Sequence, residues 1–381
     1  MLNLLTTFLL DFNSFLSAVS LPFAVISLII VLVYYLCFFS KLSLHKKKKT
    51  SFNQPISIIV CAKNELTNLR ANLPKLLNQN YSNFELIVVN DQSNDGSNVY
   101  LDELAKQHAN LVIVDIDDFV THLPGKKFAL TLGIKTAKHE HLLLTDADCV
   151  PSSDEWATQM CNNFNNSNII LGYGGYKKKK GLLNKLIRFD TFNVAQQYLS
   201  YALKGQTYMG VGRNLAYKKS LFFDNKGFAN HIHIPSGDDD LFIQEVASAD
   251  NVSIELSESA HTTSTVIKKW GEWVYQKRRH ISTAPHYKFK FKALLALYPY
   301  AQLSFWLSIL LLFSFKVNVL FIGALLAVKL LVSYLVNYKS MKQLKVADLY
   351  LLHPLYEIAH LLIQGIFVLL NLFNKPKKWS R

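Results

Sequence analysis

Residues 141–148 read His-Leu-Leu-Leu-Thr-Asp-Ala-Asp, an apolar run that ends in two aspartates, Asp146 and Asp148. The run predicts a buried strand, and the aspartates follow where that strand ends. In open parallel sheets, ligands bind at the carboxyl ends of the strands. Hard oxygen ligands suit Mg²⁺ or Mn²⁺, and these ions commonly bridge substrate phosphates. The stretch therefore predicts a divalent metal site; the alternative is a strand-end turn with solvated aspartates.

The same alternation of strands and helices extends on both sides of this stretch, from about residue 55 to residue 283. Short β-rich runs at 56–60, 84–89, 111–114 and 141–145 alternate with mixed helical segments. Residues 65–77, between the first two runs, carry apolar residues at helical spacing. Strand, helix and strand at this rhythm predict an α/β domain with a largely parallel sheet. We place this domain at residues 51–285.

An apolar segment precedes the domain. Residues 12–40 contain no charged residue, and the densest part, 21–39, is 19 residues long. A helix of that length can cross a hydrocarbon core about 30 Å thick. The basic block at 45–49 follows it, without a recognisable cleavage site. Residues 1–50 are therefore interpreted as an uncleaved transmembrane anchor whose C-terminal end faces the cytoplasm.

Three apolar segments follow the domain, in residues 286–381. Segments 293–315 and 317–337 are separated by a short link and predict a helical hairpin across the membrane. Segment 349–373 also contains His353, Pro354, Glu357 and His360. If it spans, the basic tail after it lies outside, against the positive-inside rule; a re-entrant or interfacial segment would keep the tail inside. The sequence thus predicts two to three C-terminal spans.

The overall charge has a membrane explanation. The chain has 381 residues, is 50% hydrophobic and carries a formal charge of +14. Much of the basic excess lies in short blocks beside apolar runs, where it can face anionic headgroups, so we expect no nucleic-acid partner. The four cysteines lack the spacing of a metal site or a disulfide framework, and we expect buried thiols.

Further polar segments could carry chemistry. Asp238, Asp239 and Asp240 are adjacent, so their mutual repulsion tends to raise at least one pKa towards that of a general base, although such residues also favour a helix N-terminus. Polar loops at 61–65 and 90–97 follow the first two predicted strands, and Gly125-Lys126-Lys127 precedes a helical segment. The basic stretch 276–280 (QKRRH) could anchor headgroups or bind pyrophosphate.

Taken together and in order, these motifs resemble glycosyltransferase family 2, over about residues 55–283. The resemblance implies a GT-A nucleotide-sugar-binding fold, and the flanking spans are similar to those of membrane-bound members. It implies an inverting glycosyltransferase that uses a nucleotide diphosphate sugar, expected to be a UDP-sugar. The expected partners are the membrane and a lipid or surface-glycan acceptor. We expect a bacterial inner membrane, with the catalytic domain in the cytoplasm; an internal eukaryotic membrane is the alternative.

The resemblance also implies roles for residues on the donor side. Ala62 and Glu65 match the loop that holds uridine, and Asp91 matches the loop that contacts the nucleoside. Lys126 matches a lysine near the diphosphate. Asp146 and Asp148, hereafter the aspartate pair, match the DxD motif that holds Mn²⁺ or Mg²⁺ on the donor diphosphate.

On the acceptor side, the resemblance implies that Asp239 is the general base. Three aspartates stand here in place of the family's Glu-Asp motif, so Asp238 and Asp240 are alternative candidates for this role. Gln276 and Arg279 match the QxxRW motif, whose tryptophan is replaced by a histidine. A non-catalytic membrane scaffold derived from such an enzyme is the alternative function. Retention of the acidic positions favours the enzyme.

Overall fold

The computed structural model describes residues 19–46, 50–116, 125–315, 317–373 and 376. Its strands are β1 (Ile56–Ala62), β2 (Phe84–Asp91), β3 (Leu111–Ile116), β4 (His141–Asp146), β5 (Cys149–Pro151), β6 (Ile169–Leu171), β7 (Gly174–Tyr176), β8 (Leu215–Lys218), β9 (Val252–Ile254) and β10 (Thr262–Ser264). Seven form one sheet in the order β3-β2-β1-β4-β8-β6-β9, and β5, β10 and β7 form a second. The four predicted strands are confirmed as β1 to β4.

The helices alternate with the strands and then continue beyond them. They are α1 (Val19–Leu44), α2 (Leu66–Leu77), α3 (Ser97–Ala105), α4 (Lys126–Thr136), α5 (Trp156–Cys161), α6 (Leu182–Ala202), α7 (Lys219–Asp224), α8 (Asp240–Val246), α9 (Trp270–Ile281), α10 (Phe289–Ser314), α11 (Val319–Gln343) and α12 (His353–Phe373).

The large sheet is mostly parallel, as predicted. β1 lies in its centre, pairs in parallel with β2 and β4, and is buried along its whole length, because helices cover both faces of the sheet. β2 pairs in parallel with β3, whereas β8 is antiparallel to both of its neighbours. This arrangement confirms the α/β class.

The register of the parallel strands gathers their carboxyl ends at one edge. Cys61 of β1 is opposite Asp146 of β4, and Ala62 is opposite Asn90 of β2. Helix α4 packs closely over this part of the sheet, because a Cβ on Gly133 would lie 2.8 Å from Ile59 Cγ2. That close approach positions the first residue of α4, Lys126, beside the end of β4.

Four helices are long and apolar enough to cross a membrane: α1, α10, α11 and α12. One precedes the sheet domain and three follow it, within the predicted two to three C-terminal spans. The predicted hairpin is present, since α10 ends at Ser314 and α11 begins at Val319. The part of the N-terminal apolar segment before residue 19 lies outside the described residues.

The membrane helices enclose a buried polar network. Lys329 of α11 forms an ion pair with Glu357 of α12, with 2.6 Å between Nζ and Oε2. The other carboxylate oxygen of Glu357 accepts hydrogen bonds from Tyr35 of α1 at 3.3 Å and from Tyr298 and Gln302 of α10. Because a charge in an apolar environment is costly unless it is paired, this network holds the four helices in one register.

Candidate active site

The aspartate pair lies at the carboxyl edge of the sheet, as predicted. Asp146 ends β4, and Asp148 precedes Cys149 at the start of β5. Potential ligand atoms of these three residues lie within 4.8 Å of one another. Burial, together with the charges of Asp148 and Asp146, raises the pKa of the Cys149 thiol well above its ordinary value. A neutral thiol is a poor ligand for a hard ion, so the two carboxylates are the donor set, and they fit Mg²⁺ or Mn²⁺.

Lys126 joins the aspartate pair to the second acidic cluster. Its Nζ lies 2.9 Å from Asp146 Oδ1 and 2.9 Å from Asp238 Oδ2. Burial alone would lower the pKa of Lys126, but Asp146 and Asp238 raise it well above its ordinary value. The lysine is therefore a fixed positive charge between two acidic groups that are 92 positions apart in sequence.

Like Asp240, Asp239 has a pKa above its ordinary value, chiefly because it is buried. Its Oδ2 accepts a hydrogen bond from the backbone N–H of Gly212, and its Oδ1 accepts one from the N–H of Asp240, each at 2.8 Å. Burial and the neighbouring charges of Asp238 and Asp240 raise its pKa to about 7. A carboxyl group with this pKa can take up and release a proton near neutral pH.

The other two aspartates of the cluster are engaged by partners. Burial opposes ionisation of Asp238, but the Lys126 ammonium holds its pKa below the ordinary value. Asp240 Oδ2 accepts hydrogen bonds from Tyr287 at 2.7 Å and from Thr283, and its Oδ1 accepts one from the N–H of Leu241. The Asp240 carboxylate thus ties α8 to the segment that leads into α10.

Gly212 allows the backbone to approach Lys126 and Asp239 closely. A Cβ at this position would lie 3.3 Å from Lys126 Nζ and 3.6 Å from Asp239 Oδ2. A side chain here would crowd the lysine and the carboxylate that the Gly212 N–H contacts. The sequence motif 210–214 (GVGRN) signalled a glycine-rich loop here but not this contact.

The predicted nucleoside loops meet at the ends of β1 and β2. Ala62 is the last residue of β1, and Asp91, the last of β2, is buried beside Lys63 with 3.4 Å between Oδ2 and Nζ. Glu65 directly precedes α2, and its carboxylate accepts a hydrogen bond from Asn68. The structure therefore brings the residues predicted to bind the nucleoside to the same edge of the sheet as the aspartate pair.

Asp95 connects the two loops. Its Oδ2 accepts a hydrogen bond from the first N–H of α2, at Leu66 (2.8 Å), and its Oδ1 accepts bonds from the N–H and hydroxyl of Ser97. Burial would raise the pKa of Asp95, but these hydrogen bonds hold it below its ordinary value. The sequence of the 90–97 loop gives no local signal of this connection, because Leu66 and Asp95 lie 29 positions apart.

Helix α9 carries the predicted Gln276 and Arg279 to the other side of the site. Gln276 Oε1 accepts a hydrogen bond from the Tyr176 hydroxyl at 3.1 Å. The positive charge of Arg279 acts on Asp238 and helps to lower its pKa, after the larger effect of Lys126. Within the described residues the buried Nε of Arg279 has no hydrogen-bond partner. His280, at the position of the family's tryptophan, is exposed.

Arg213 is a site residue that the sequence analysis did not single out. Its guanidinium lies over the ring of Tyr176, 4.9 Å from the centroid, and Nη1 is 3.4 Å from Ser264 Oγ. Its charge interacts with Asp146 and Asp148. By contrast, Lys127 points away from the site, with Nζ 2.7 Å from His231 Nδ1.

Residues 57–224 match the family described as glycosyl transferase family 2. This domain belongs to glycosyl transferase family 2. The match includes β1 from its second residue, β2 to β4, Lys126 and the aspartate pair, whereas the second acidic cluster and α9 lie beyond it.

Curated relatives of this family 2 domain are similar over part of their length. The poly-β-1,6-N-acetyl-D-glucosamine synthase of Staphylococcus epidermidis is 33% identical over 99 residues, which are 26% of this chain and 23% of that protein. The synthase of Staphylococcus aureus strain COL is 26% identical over 149 residues, 38% of this chain and 35% of that protein. The matched region thus spans about a quarter to a third of these relatives.

A solved structure shows the same fold over nearly the whole chain. The mannosyltransferase PcManGT from Pyrobaculum calidifontis, in complex with GDP-Man and Mn²⁺, is 17% identical, with a TM-score of 0.56. The similarity covers 92% of this chain and 98% of that one. It confirms the predicted GT-A-like architecture of the family 2 domain with its accompanying helices.

Proposed function

We propose that this protein is an inverting membrane glycosyltransferase that transfers a sugar from a nucleotide diphosphate sugar to a hydroxyl group of a lipid or surface glycan. The observation that carries the proposal is the Lys126 bridge between Asp146 and Asp238, because Asp239 lines the same cleft as these three residues. One side of that cleft offers oxygen ligands for a metal–diphosphate, and the other offers a carboxylate that titrates near neutral pH.

On the donor side, the loops at Ala62, Glu65 and Asp91 hold the nucleoside. Lys126 adds a positive charge towards the diphosphate, while Asp146 and Asp148 hold a divalent ion. When bound there, Mn²⁺ or Mg²⁺ supplies charge neutralisation to the departing diphosphate oxygens. We expect a UDP-sugar. The names of the synthase relatives make N-acetylglucosamine the first sugar to test, and the GDP-Man complex of the mannosyltransferase makes mannose the second.

On the acceptor side, Asp239 accepts the proton of the attacking hydroxyl group. The acceptor oxygen forms a bond to the anomeric carbon as the bond from that carbon to the diphosphate oxygen breaks. Attack on the face opposite the leaving group inverts the anomeric centre. Arg279 supports the reaction by adding positive charge on the side of α9, where its Nε is buried without a hydrogen-bond partner in the described residues.

The proposed site of action is the cytoplasmic face of a bacterial inner membrane. The basic residues that follow α1 in the sequence, 45–49, favour a cytoplasmic position for the end of that helix. Since β1 begins at Ile56, shortly after this block, the catalytic domain lies on the same side.

A nucleotide-sugar panel tests the proposal. Thermal unfolding of the detergent-purified full chain is measured with UDP- and GDP-sugars, with and without Mn²⁺. We expect one donor to raise the melting temperature only with Mn²⁺, and Asp148→Ala to lose that shift because the metal loses one of two carboxylates. Asp102→Ala, at an exposed position on α3, is the matched control.

Transfer is then measured with that donor and membrane-lipid or glycan acceptors. Donor binding without transfer to any acceptor would support the non-catalytic scaffold instead. Full metal-dependent stabilisation of Asp148→Ala would contradict the metal assignment.

A further inference from the structure

Helix α12 contacts the rest of the protein along one stripe. Residues 353, 357, 360, 364, 367 and 371 recur every three or four positions and lie on one side of a helix. At its first turn, His353 Nε2 lies 3.3 Å from Ser333 Oγ of α11, and the His353 ring packs edge-on against Tyr334. One turn later, Glu357 pairs with Lys329. This first part of α12 therefore belongs to the membrane bundle.

The middle of α12 meets the catalytic domain instead. Asp190 of α6 is buried, and its Oδ1 lies 3.0 Å from His360 Nε2 and accepts a hydrogen bond from Gln364 at 2.9 Å. The other oxygen of Asp190 lies 2.8 Å from Nζ of Lys277 on α9. One carboxylate thus links α6, α9 and α12.

The last turn of α12 is also attached to α9. The Phe367 and Trp273 rings meet edge-on with 5.6 Å between their centroids. Asn371 exchanges two hydrogen bonds with Arg278: its Oδ1 accepts from Nε at 3.0 Å, and its Nδ2 donates to the Arg278 carbonyl at 2.8 Å. The C-terminal end of α12 therefore lies against the helix that carries Gln276 and Arg279.

The segment before α12 is bound to the same domain. Asp348 accepts a hydrogen bond from Arg188 Nη1 of α6 at 2.8 Å, and Lys345 forms an ion pair with Glu258. A helix of 21 residues is about 32 Å long, enough to cross a hydrocarbon core. Because both its approach and its last turn contact a domain on one side of the membrane, α12 runs along that domain and does not extend away from it.

The opposite face of α12 is apolar and exposed. It includes Leu355, Leu362, Ile366, Leu369 and Leu372, all more than half exposed. Exposed leucines of the same kind cover α10 and α11, for example Leu310 and Leu331, so the surface continues that of the membrane bundle. This continuity indicates that lipid, and not a protein partner, covers the apolar face of α12. The basic residues that follow α12 in the sequence support the same conclusion, because they can pair with anionic headgroups.

We propose that α12 is an in-plane membrane helix, with its apolar face in the lipid and its polar face clamped to α9, so that the C-terminus and the catalytic domain lie on the same side of the membrane. This assignment decides between the two alternatives that the sequence left open for segment 349–373, and it agrees with the positive-inside rule. If the proposed function holds, Asp190 and Lys277 are positioning residues, because they fix the helix that presents Gln276 and Arg279.

Cysteine accessibility tests the sidedness and does not depend on catalysis. Single cysteines are introduced in the Cys37→Ser background: Ser380→Cys in the tail, Val317→Cys between α10 and α11, and Asp102→Cys on the catalytic domain. A membrane-impermeant thiol reagent is applied to intact bacterial cells and to inverted vesicles. We expect Ser380→Cys to label together with Asp102→Cys in inverted vesicles, and Val317→Cys to label in intact cells. Labelling of Ser380→Cys together with Val317→Cys would overturn the proposal.

Hydrogen exchange tests the clamp. We expect residues 270–281 to exchange faster in Asp190→Asn, while β1 and β4 keep the protection of the wild type. The milder double variant His360→Ala/Gln364→Ala removes only the contacts from α12 and should give the same regional effect, which guards against misfolding of Asp190→Asn. Asp102→Asn is the control. Unchanged exchange in α9 in a folded double variant would show that α12 does not hold it.

Discussion

Two clusters in this molecule pair a lysine with carboxylates, and they differ in how completely the charges are matched. At the edge of the sheet, Lys126 contacts both Asp146 and Asp238, while Asp239 beside them accepts hydrogen bonds from two backbone N–H groups. In the membrane bundle, Lys329 pairs with one carboxylate, that of Glu357, and three further side chains donate to that carboxylate.

The difference shows how similar residues yield a reactive site in one place and a structural one in another. The bundle pair is neutral and saturated with donors, so removing either partner leaves a costly unpaired charge. The sheet-edge cluster has more carboxylates than cations. Burial, together with this excess negative charge, raises the pKa of Asp239 to about 7, which suits proton transfer.

The largest expected effect comes from removing the negative charge of the Asp239 carboxylate. Asp239→Asn should lower kcat by about 10²- to 10⁴-fold, the usual contribution of a general base, while donor binding with Mn²⁺ stays as in the wild type. Transfer kinetics and donor-induced thermal shifts measure the two quantities separately. Asp240→Asn makes the same change of charge one residue away, but it should mainly lower stability because Asp240 holds Tyr287 and Thr283. The opposite pattern would make Asp240 the base.

Breaking the ion pair between Lys329 and Glu357 should lower the stability of the fold. Glu357→Leu leaves Lys329 buried without its partner and should cost about 3–5 kcal/mol of unfolding free energy. The double variant Lys329→Met/Glu357→Leu should recover most of that loss, because both charges are then replaced by apolar groups of similar volume. Unfolding of the detergent-solubilised chain measures this. A single variant as stable as the wild type would show that the pair does not hold the bundle.

The smallest effects are shifts in the pH dependence of transfer. In the wild type, kcat should rise with pH through about 7, as Asp239 loses its proton. Asp238→Asn removes a negative neighbour, which lowers the pKa of Asp239. The rise of kcat with pH should therefore occur at lower pH in this variant. Lys126→Met removes a positive neighbour of Asp239, so the rise of kcat should occur at higher pH, with reduced activity. Shifts in the same direction in both variants would contradict this electrostatic account.

The strands and the acids at their ends follow from the sequence because their signals are local. Apolar runs such as 142–144 and 86–89 identify strands by residue type alone, and a parallel sheet then gathers their carboxyl ends. This was enough to predict the α/β class and to bring Ala62, Asp91 and Asp146 to one edge. The N-terminal apolar helix and the C-terminal hairpin were predicted for the same reason, since length and composition decide whether a segment can span, whereas segment 349–373 was left between two alternatives.

Other features depend on contacts between residues far apart in the chain, and only the tertiary structure decided them. The cluster of three aspartates gave no signal that Asp240 turns towards Tyr287 while Asp238 faces Lys126. The sequences of the loops that contain Arg213 and Asp95 do not indicate the contacts of these residues. Lys329 is the one charged residue in segment 317–337, and only the packing of α11 against α12 shows that Glu357 is its partner. Local pattern fixes an element's type and its buried face, whereas the pairing of charges depends on how elements pack against one another.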